Sequence, residues 1–545
     1  MNGSIGARPD LSAHAFLVVE DFEGMRGILR DMLARAGATR IVFAPDAAAA
    51  LIQLERQHFD AVLCDLHLGR GRNGQELLEE ARQRHFLPPD TVWLMVSAEK
   101  TAEMVAGTVE ARPDDYLIKP LTETLLYTRL ARQMEKKRLL APIEQALRAG
   151  EPLKAQRLID AALERAGTHA WELKRLRADV AWQSGDDERA RAIYEEVLAR
   201  RDVPWAQLGL ARIDVRHGDY AAARARLAQV TQGSRAYLEA HDCLARVLEH
   251  QGELAGAQEI LRQALSVSPR APHRLTHLGE VAFRRGDLDT AANALRRGIE
   301  LARGTPAQDS ARYLTLVRVQ LARGDREAAM ASLSQLAHDH KDRADVRLVA
   351  RAMEIPLRMQ AEETTVAWAL AQELAPELRA GAAVLPTEVA FDLAGPLLEL
   401  GDTETAATLM RAVVGNHHDH AEYPERIEAL YARAGLAGQG RALVAHAARE
   451  AVEIMDRGVR LFHAGELDEA VATTRAALAR MPDNARLLLN HAFLLIAGME
   501  RHGHDAAAAQ EARACIERAR RLKPEDRRAG ELLARMEVIG HDFVA

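Results

Sequence analysis

From residue 150 onward, glycine marks this chain at a spacing that argues for a repeated helical hairpin. Gly150, Gly185, Gly218, Gly252, Gly286 and Gly324 follow one another at intervals of 35, 33, 34, 34 and 38. Each is followed directly by Asp or Glu, and five positions on by alanine: Ala155, Ala190, Ala223, Ala257, Ala291 and Ala329. The pattern returns at Gly401/Ala406 and Gly465/Ala470 and, more weakly, at Gly503/Ala508. Pro269 and Pro482 stand at the same offset beyond Gly252 and Gly465. Each mark has a physical task. Glycine ends one helix in a left-handed turn, and the acidic residue caps the next helix. The small alanine lets the two helices approach, and proline stops the second.

A period near 34 with these marks resembles the tetratricopeptide repeat, two antiparallel helices per unit, and Leu278-Gly279 fills that family's leucine–glycine pair in the first helix. The repeats are regular over 141–340. Between 341 and 460 the glycine intervals stretch to 77 and 64, which implies one or two degenerate hairpins lacking the glycine. Repeat-like sequence resumes over 461–545, and the polar-faced stretch 525–538 reads as a solenoid cap. Stacked pairs form an α-solenoid whose concave face is lined by the first helix of each repeat. Counting back from the glycines puts Trp182, Arg212, Arg246, Phe283 and Arg318 on that face. Aromatics between arginines suit a peptide or helix as ligand; for Trp182 and Phe283 the alternative is packing between repeats. His417-His418-Asp419-His420 has the donors for a metal, or marks an exposed interhelical turn.

Ahead of position 140 the chain follows another rule. Apolar runs at 15–20, 40–44, 60–64, 91–97 and 115–118 alternate with amphipathic stretches at 23–36, 46–57, 74–84, 100–111 and 122–137. This alternation specifies a parallel sheet with helices on both faces, a doubly wound α/β domain of flavodoxin-like type. Four of the runs close on polar residues: Phe16–Val19 on Glu20 and Asp21, Ala61–Cys64 on Asp65, Val92–Val96 on Ser97, and Tyr116–Ile118 on Lys119-Pro120. Ligands of open parallel sheets bind at the carboxyl ends of the strands, so these groups share one crevice. Three carboxylates there repel one another unless a divalent cation sits among them, and hard oxygen donors with room for water and a phosphoryl group suit Mg²⁺. Asp65 is then the nucleophile that becomes an aspartyl phosphate. Ser97 and Lys119 are the hydroxyl and ammonium partners of two phosphoryl oxygens.

These residues resemble the receiver domains of bacterial two-component response regulators, over about residues 14–135, within a domain drawn at 12–137. In that resemblance Glu20-Asp21 is the acidic pair, Asp65 the phospho-acceptor, Ser97 the switch hydroxyl, and Lys119-Pro120 the lysine with its cis-proline. Tyr116 is the rotating aromatic, and the backbone carbonyl of His67 joins Glu20, Asp21 and Asp65 around Mg²⁺. A histidine kinase or phosphotransfer protein is the implied donor. The loop after the acceptor departs from the family. It reads Leu68-Gly69-Arg70-Gly71-Arg72-Asn73-Gly74, one residue longer and richer in glycine and arginine, which leaves the choice of kinase and phosphatase open. Such a loop looks like that of receivers fused to tetratricopeptide repeats.

Bulk properties remove other classes. The net charge is -7 with both signs mixed throughout, no DNA-reading motif is present, and no nucleic acid is expected as partner. No apolar run reaches a membrane span, the first dozen residues lack the core of a signal peptide, and three separated cysteines fit a reducing compartment, so a cytoplasmic location is expected. No catalytic constellation is found among the repeats, so the chain is not expected to be an enzyme. The leading expectation is a regulator whose output is protein binding by the solenoid. The alternative is a constitutive scaffold whose receiver is a docking module or phosphate sink. The signal is expected to leave through the face at 100–137. There Glu110, Asp114, Asp115, Arg129 and Lys136 either pair across the two-fold axis of a homodimer or dock on the first repeats.

Overall fold

The computed structural model describes residues 10–69, 71–98, 113–165, 169–417, 420, 422–503, 505–524 and 526–542. The chain divides into two compact units: Met1–Ala181 with Asp187–Ala271 and Gly304–Ala307, and Trp182–Asp186 with Pro272–Arg303 and Gln308–Ala545. In the first unit five strands, β1 (Ala15–Val19), β2 (Arg40–Ala44), β3 (Ala61–Asp65), β4 (Val92–Ser97) and β5 (Asp115–Ile118), form a wholly parallel sheet in the order β2-β1-β3-β4-β5. Because successive side chains point to opposite faces, each central strand feeds two cores. Phe16, Val18, Leu63 and Leu94 pack with Leu29 and Leu33 of α1 (Glu23–Arg35). On the other face, Leu17, Val19, Val62 and Trp93 pack with α2 (Ala47–Arg56) and with Leu77 and Leu78 of α3 (Gly74–Gln83). The expected stretch 100–111 lies outside the described residues.

The boundary expected between 137 and 141 falls inside a helix. A single element, α4 (Glu123–Arg148), covers the last helix of the sheet domain and continues as the first helix of the repeats, with Pro142 in its interior. Proline there removes one intrahelical bond, to the carbonyl of Arg138. The loss is offset because Leu140, Ile143 and Ala146, on either side of it, are buried against Ala155, Ile159 and Leu173.

The repeat marks behave as their chemistry requires. All nine turn glycines of the pattern, from Gly150 to Gly503, have positive φ, between 69° and 96°. Alanines 155, 190, 223, 257, 291, 329, 406 and 470 are fully buried. The acidic caps divide by length. Asp219, Asp287, Asp325 and Asp402 accept from backbone N–H groups three residues on, at 3.0–3.2 Å. Glu151, Glu253 and Glu466 make no such bond, since one more methylene carries the carboxylate past the amides it would cap. The cap helix spans Arg528–Asp542.

Two turns in the irregular middle, both in the second unit, depart from the pattern. Glu362 takes φ 60° at a turn where the regular repeats have glycine, and Ala367, five residues on, is fully buried. The next turn, expected to lack the glycine, has it in Gly435 at φ 75°; what it lacks is the alanine, for its fifth residue is Gly440, where a Cβ would lie 2.6 Å from Cβ of Tyr431. Glu362→Gly is therefore expected to stabilise the chain by about 0.5 kcal/mol. It relieves a left-handed residue worth roughly 1 kcal/mol against the larger unfolded-state entropy of glycine. The urea midpoint checks this, and a lower midpoint would contradict it.

Candidate functional site

The strand order puts β3 at the centre, with β1 and β4 on either side and β5 beyond β4. Carboxylate oxygens of Glu20, Asp21 and Asp65 all lie within 4.8 Å of one another. Glu20 and Asp65 are buried, while Asp21 is exposed at the rim. Lys119, past the end of β5, places Nζ 2.8 Å from Oε2 of Glu20 and 2.6 Å from Oδ2 of Asp65. The other oxygen of Asp65 accepts from the backbone N–H of His67 at 3.1 Å. Ser97 is fully buried at the end of β4, and its carbonyl accepts from the Lys119 N–H at 2.7 Å. The Lys119–Pro120 peptide is cis. Tyr116 is half-buried against the core that holds Trp93 and Met95.

Charge is concentrated here beyond what one lysine balances. Burial raises the Glu20 carboxyl above its ordinary range; the bond from Lys119 opposes this and the neighbouring Asp65 charge reinforces it. Burial works against the Lys119 ammonium too, but its bonds to Asp65 and Glu20 outweigh that and hold its pKa up. The Cys64 thiol is pushed well up by burial and then by the two carboxylates, which leaves it a packing residue rather than a nucleophile. Three oxygen ligand groups at this spacing, two of them buried, are the donor set a hard divalent cation takes. Glu20, Asp21 and Asp65, with the carbonyl of His67, would hold it.

Sequence reasoning missed the group that fixes the acidic pair. Arg26, one turn into α1, donates from Nη1 to the carbonyls of Glu20 (2.7 Å) and Asp21 (2.9 Å). Its signal was an arginine five residues past an acidic pair, too common a pattern to single out. Gly74, the first residue of α3, rests on the backbone of Asp65. A Cβ there would lie 2.2 Å from the Asp65 carbonyl oxygen and 2.9 Å from Sγ of Cys64.

The other expected residues are dispersed. Asp115 is bonded within its own domain to Arg129 (3.2 Å) and Gln133 (3.0 Å). Asp114 pairs with Lys137 at 3.1 Å and accepts from the Trp93 N–H, and Lys136 lies 3.8 Å from Glu172 of the repeats. These charges thus have partners inside the chain; Glu110 lies outside the described residues. In the repeats of the first unit, Arg212 approaches Glu239 at 3.7 Å and Arg246 is exposed. In the second unit Trp182 is half-buried. Arg318 holds Glu388 (2.6 Å) and Asp392 (2.7 Å), with its guanidinium 5.4 Å from the Phe283 ring centre. Burial, opposed by Arg318, raises the Asp392 carboxyl to about 6. His417 accepts or donates at 2.9 Å to Thr387 and packs on Tyr423; His418 and Asp419 lie outside the described residues.

Comparison with known proteins agrees with this architecture. The response regulator receiver domain family matches residues 16–131, and the tetratricopeptide repeat family matches 144–203 and 244–306. The chemotaxis protein CheY of Pseudomonas aeruginosa is 31% identical over 120 residues, 22% of this chain and 95% of that protein. CheY-3 of Vibrio cholerae is 32% identical over 120 residues, again 22% of this chain and 91% of the relative. A tetratricopeptide repeat protein of Parabacteroides merdae, known from its crystal structure, aligns with 44% of this chain and 91% of its own at 14% identity and a TM-score of 0.30. Among the described residues no helix is long and apolar enough to cross a membrane.

Proposed function

Since the chain belongs to the family of two-component response regulators, with a receiver domain followed by tetratricopeptide repeats that bind other proteins, we propose that Asp65 accepts a phosphoryl group and that the repeats deliver the result to a protein partner. The reading rests on one observation: the buried carboxylates of Asp65 and Glu20 share one lysine, and their oxygens lie within 4.8 Å of each other and of a third carboxylate at the rim. An oxygen of Asp65 attacks phosphorus of a phosphohistidine on a kinase or phosphotransfer protein, or of a small acyl phosphate. The new O–P bond forms as the donor's P–N or P–O bond breaks. The electron pair leaves with the imidazole, which takes a proton, or with the carboxylate. Bound Mg²⁺ supplies charge neutralisation for the carboxylates and the incoming phosphoryl oxygens. Lys119 turns its ammonium to the phosphoryl group, the Ser97 hydroxyl donates to another of its oxygens, and Tyr116 rotates into the space so freed. A cytoplasmic location and a purely regulatory, non-enzymatic role belong to the same proposal.

The test is made on the full chain. Mg²⁺ at about five times its dissociation constant is expected to stabilise the wild type by about 1 kcal/mol, seen as a rise in melting temperature, and to be required for labelling by acetyl phosphate. Glu20→Gln with Asp21→Asn should lose both effects together. Labelling of that variant at the wild-type rate would refute the metal assignment. Binding of a protein partner that is equal with and without beryllofluoride–Mg²⁺ would favour the constitutive scaffold instead.

A further inference from the structure

The long loop after the acceptor is bonded to the repeats. Arg72, next to last before α3, divides its guanidinium. Nη1 pairs with the buried Glu80 of α3 at 2.6 Å, and Nη2 donates to the carbonyl of Gly304, in a loop between repeat helices, at 2.7 Å. Four residues on, Glu76 divides its carboxylate in the same way. Oε2 accepts from the Asn73 N–H at 2.9 Å, completing a capping box at the start of α3. Oε1 accepts from Nε (2.8 Å) and Nη2 (2.5 Å) of Arg270, at the end of a repeat. All these residues lie in the first unit. The same stretch is fastened to the acceptor. Gly74 donates to the Leu66 carbonyl at 2.9 Å and has no room for a Cβ beside the Asp65 backbone. A Cβ on Gly69 would come within 3.1 Å of the Asp21 carboxylate.

We propose that Arg72 and Arg270 form a latch through which the repeats hold the acceptor loop in its unmodified arrangement, so that phosphorylation and latching oppose each other. The reasoning extends the phospho-acceptor reading of Asp65 and rests on it. Phosphorylation of either Asp65 oxygen takes it from its present partner, the loop amide of His67 or the Lys119 ammonium. A loop strapped at Arg72 and an α3 start strapped at Glu76 resist the adjustment that follows. Coupling between two such states is reciprocal: what the latch costs the modified acceptor, the modified acceptor costs the latch. The signal then leaves through the start of α3, by contacts that the residue order alone could not connect, since Glu76 and Arg270 are 194 positions apart.

The experiment measures beryllofluoride–Mg²⁺ affinity by calorimetry in full-length wild type, Arg72→Ala, Glu76→Gln, Arg270→Gln and the Glu76→Gln/Arg270→Gln double variant. Glutamine keeps the capping box while removing the charge that Arg270 meets. An exposed pair of this kind is worth at most about fivefold, so each variant is expected to bind the mimic about fivefold more tightly. The double variant should gain no more than either single one, because both remove one interaction. In the wild type the mimic should also speed hydrogen exchange at 268–274 and 303–307, and it should do so less in Arg72→Ala. Normal binding by the wild type, with equal or weaker binding by the variants and unchanged exchange, overturns the latch and leaves the acceptor reading in place. No binding by the wild type overturns the acceptor reading, and the latch with it.

Discussion

Asp65→Asn is expected to reduce labelling of the full chain by acetyl phosphate to background while leaving the fold and its melting transition in place. The reason is local. Asparagine keeps the shape of the side chain and an oxygen that can accept from the His67 N–H, now 3.1 Å from Oδ1. What disappears is the anionic oxygen proposed to attack phosphorus. Lys119 loses one partner at 2.6 Å and keeps Glu20 at 2.8 Å, while Glu20 loses the neighbouring negative charge that helps raise its pKa. The two changes act in opposite directions on stability, so the net effect should stay within about 1 kcal/mol. Acid-labile phosphate on the variant, located by mass spectrometry to any other aspartate, would move the acceptor elsewhere.

Gly74→Ala is expected to lower the stability of the chain markedly for a single methyl group. The new Cβ would stand 2.2 Å from a backbone oxygen, which cannot swing aside as a side chain can. Either the start of α3 or the end of β3 has to shift, and overpacking of this kind costs about 1–3 kcal/mol, on the order of 10 °C in the melting temperature of a domain this size. Labelling should fall as well, because the displaced backbone belongs to Asp65. Gly27→Ala is the control: it sits in α1 with nothing within 4 Å of the added carbon. Alanine there should be neutral or stabilising by about 0.5–1 kcal/mol. Equal melting temperatures for the two variants would show that α3 has slack the close contact denies.

The site was legible because each of its groups closes an apolar run, and a parallel sheet gathers run ends by topology alone. Glu20, Asp65, Ser97 and Lys119 therefore needed no distance information to be grouped. The repeats were legible wherever a glycine, an acid and an alanine kept their spacing. They were obscured at Glu362, where a residue with a side chain tolerates the left-handed turn, and at Gly435, where the alanine five residues on is replaced by an even smaller Gly440. The turn at 435 also lacks the acid, for Leu436 follows it. That one helix runs through the boundary drawn at 137–141 was not legible, because the burial that offsets Pro142 depends on residues 155–173. Arg318 was expected on the face that meets a partner, and nothing local announced Glu388 and Asp392, which hold it from two hairpins further along. Arg72 was seen as a departure in the loop; its partner at Gly304 lies too far along the chain for any pattern to join them.

The shared helix α4 sets an angular relation that no flexible tether could. It is fastened along its length to the sheet domain, through Lys137 to Asp114 at 3.1 Å and through Arg148 to the Leu87 carbonyl at 3.1 Å. In an α-helix each added residue turns everything beyond it by about 100° and advances it by about 1.5 Å. One residue inserted after Lys137 would swing Arg148 away from Leu87 and turn the first hairpin toward a different neighbour. Seven would bring it back almost into phase, about 10 Å farther out. The helix thus acts as a gauge rather than a leash, and its length in residues is as much a part of the design as the identity of any residue on it.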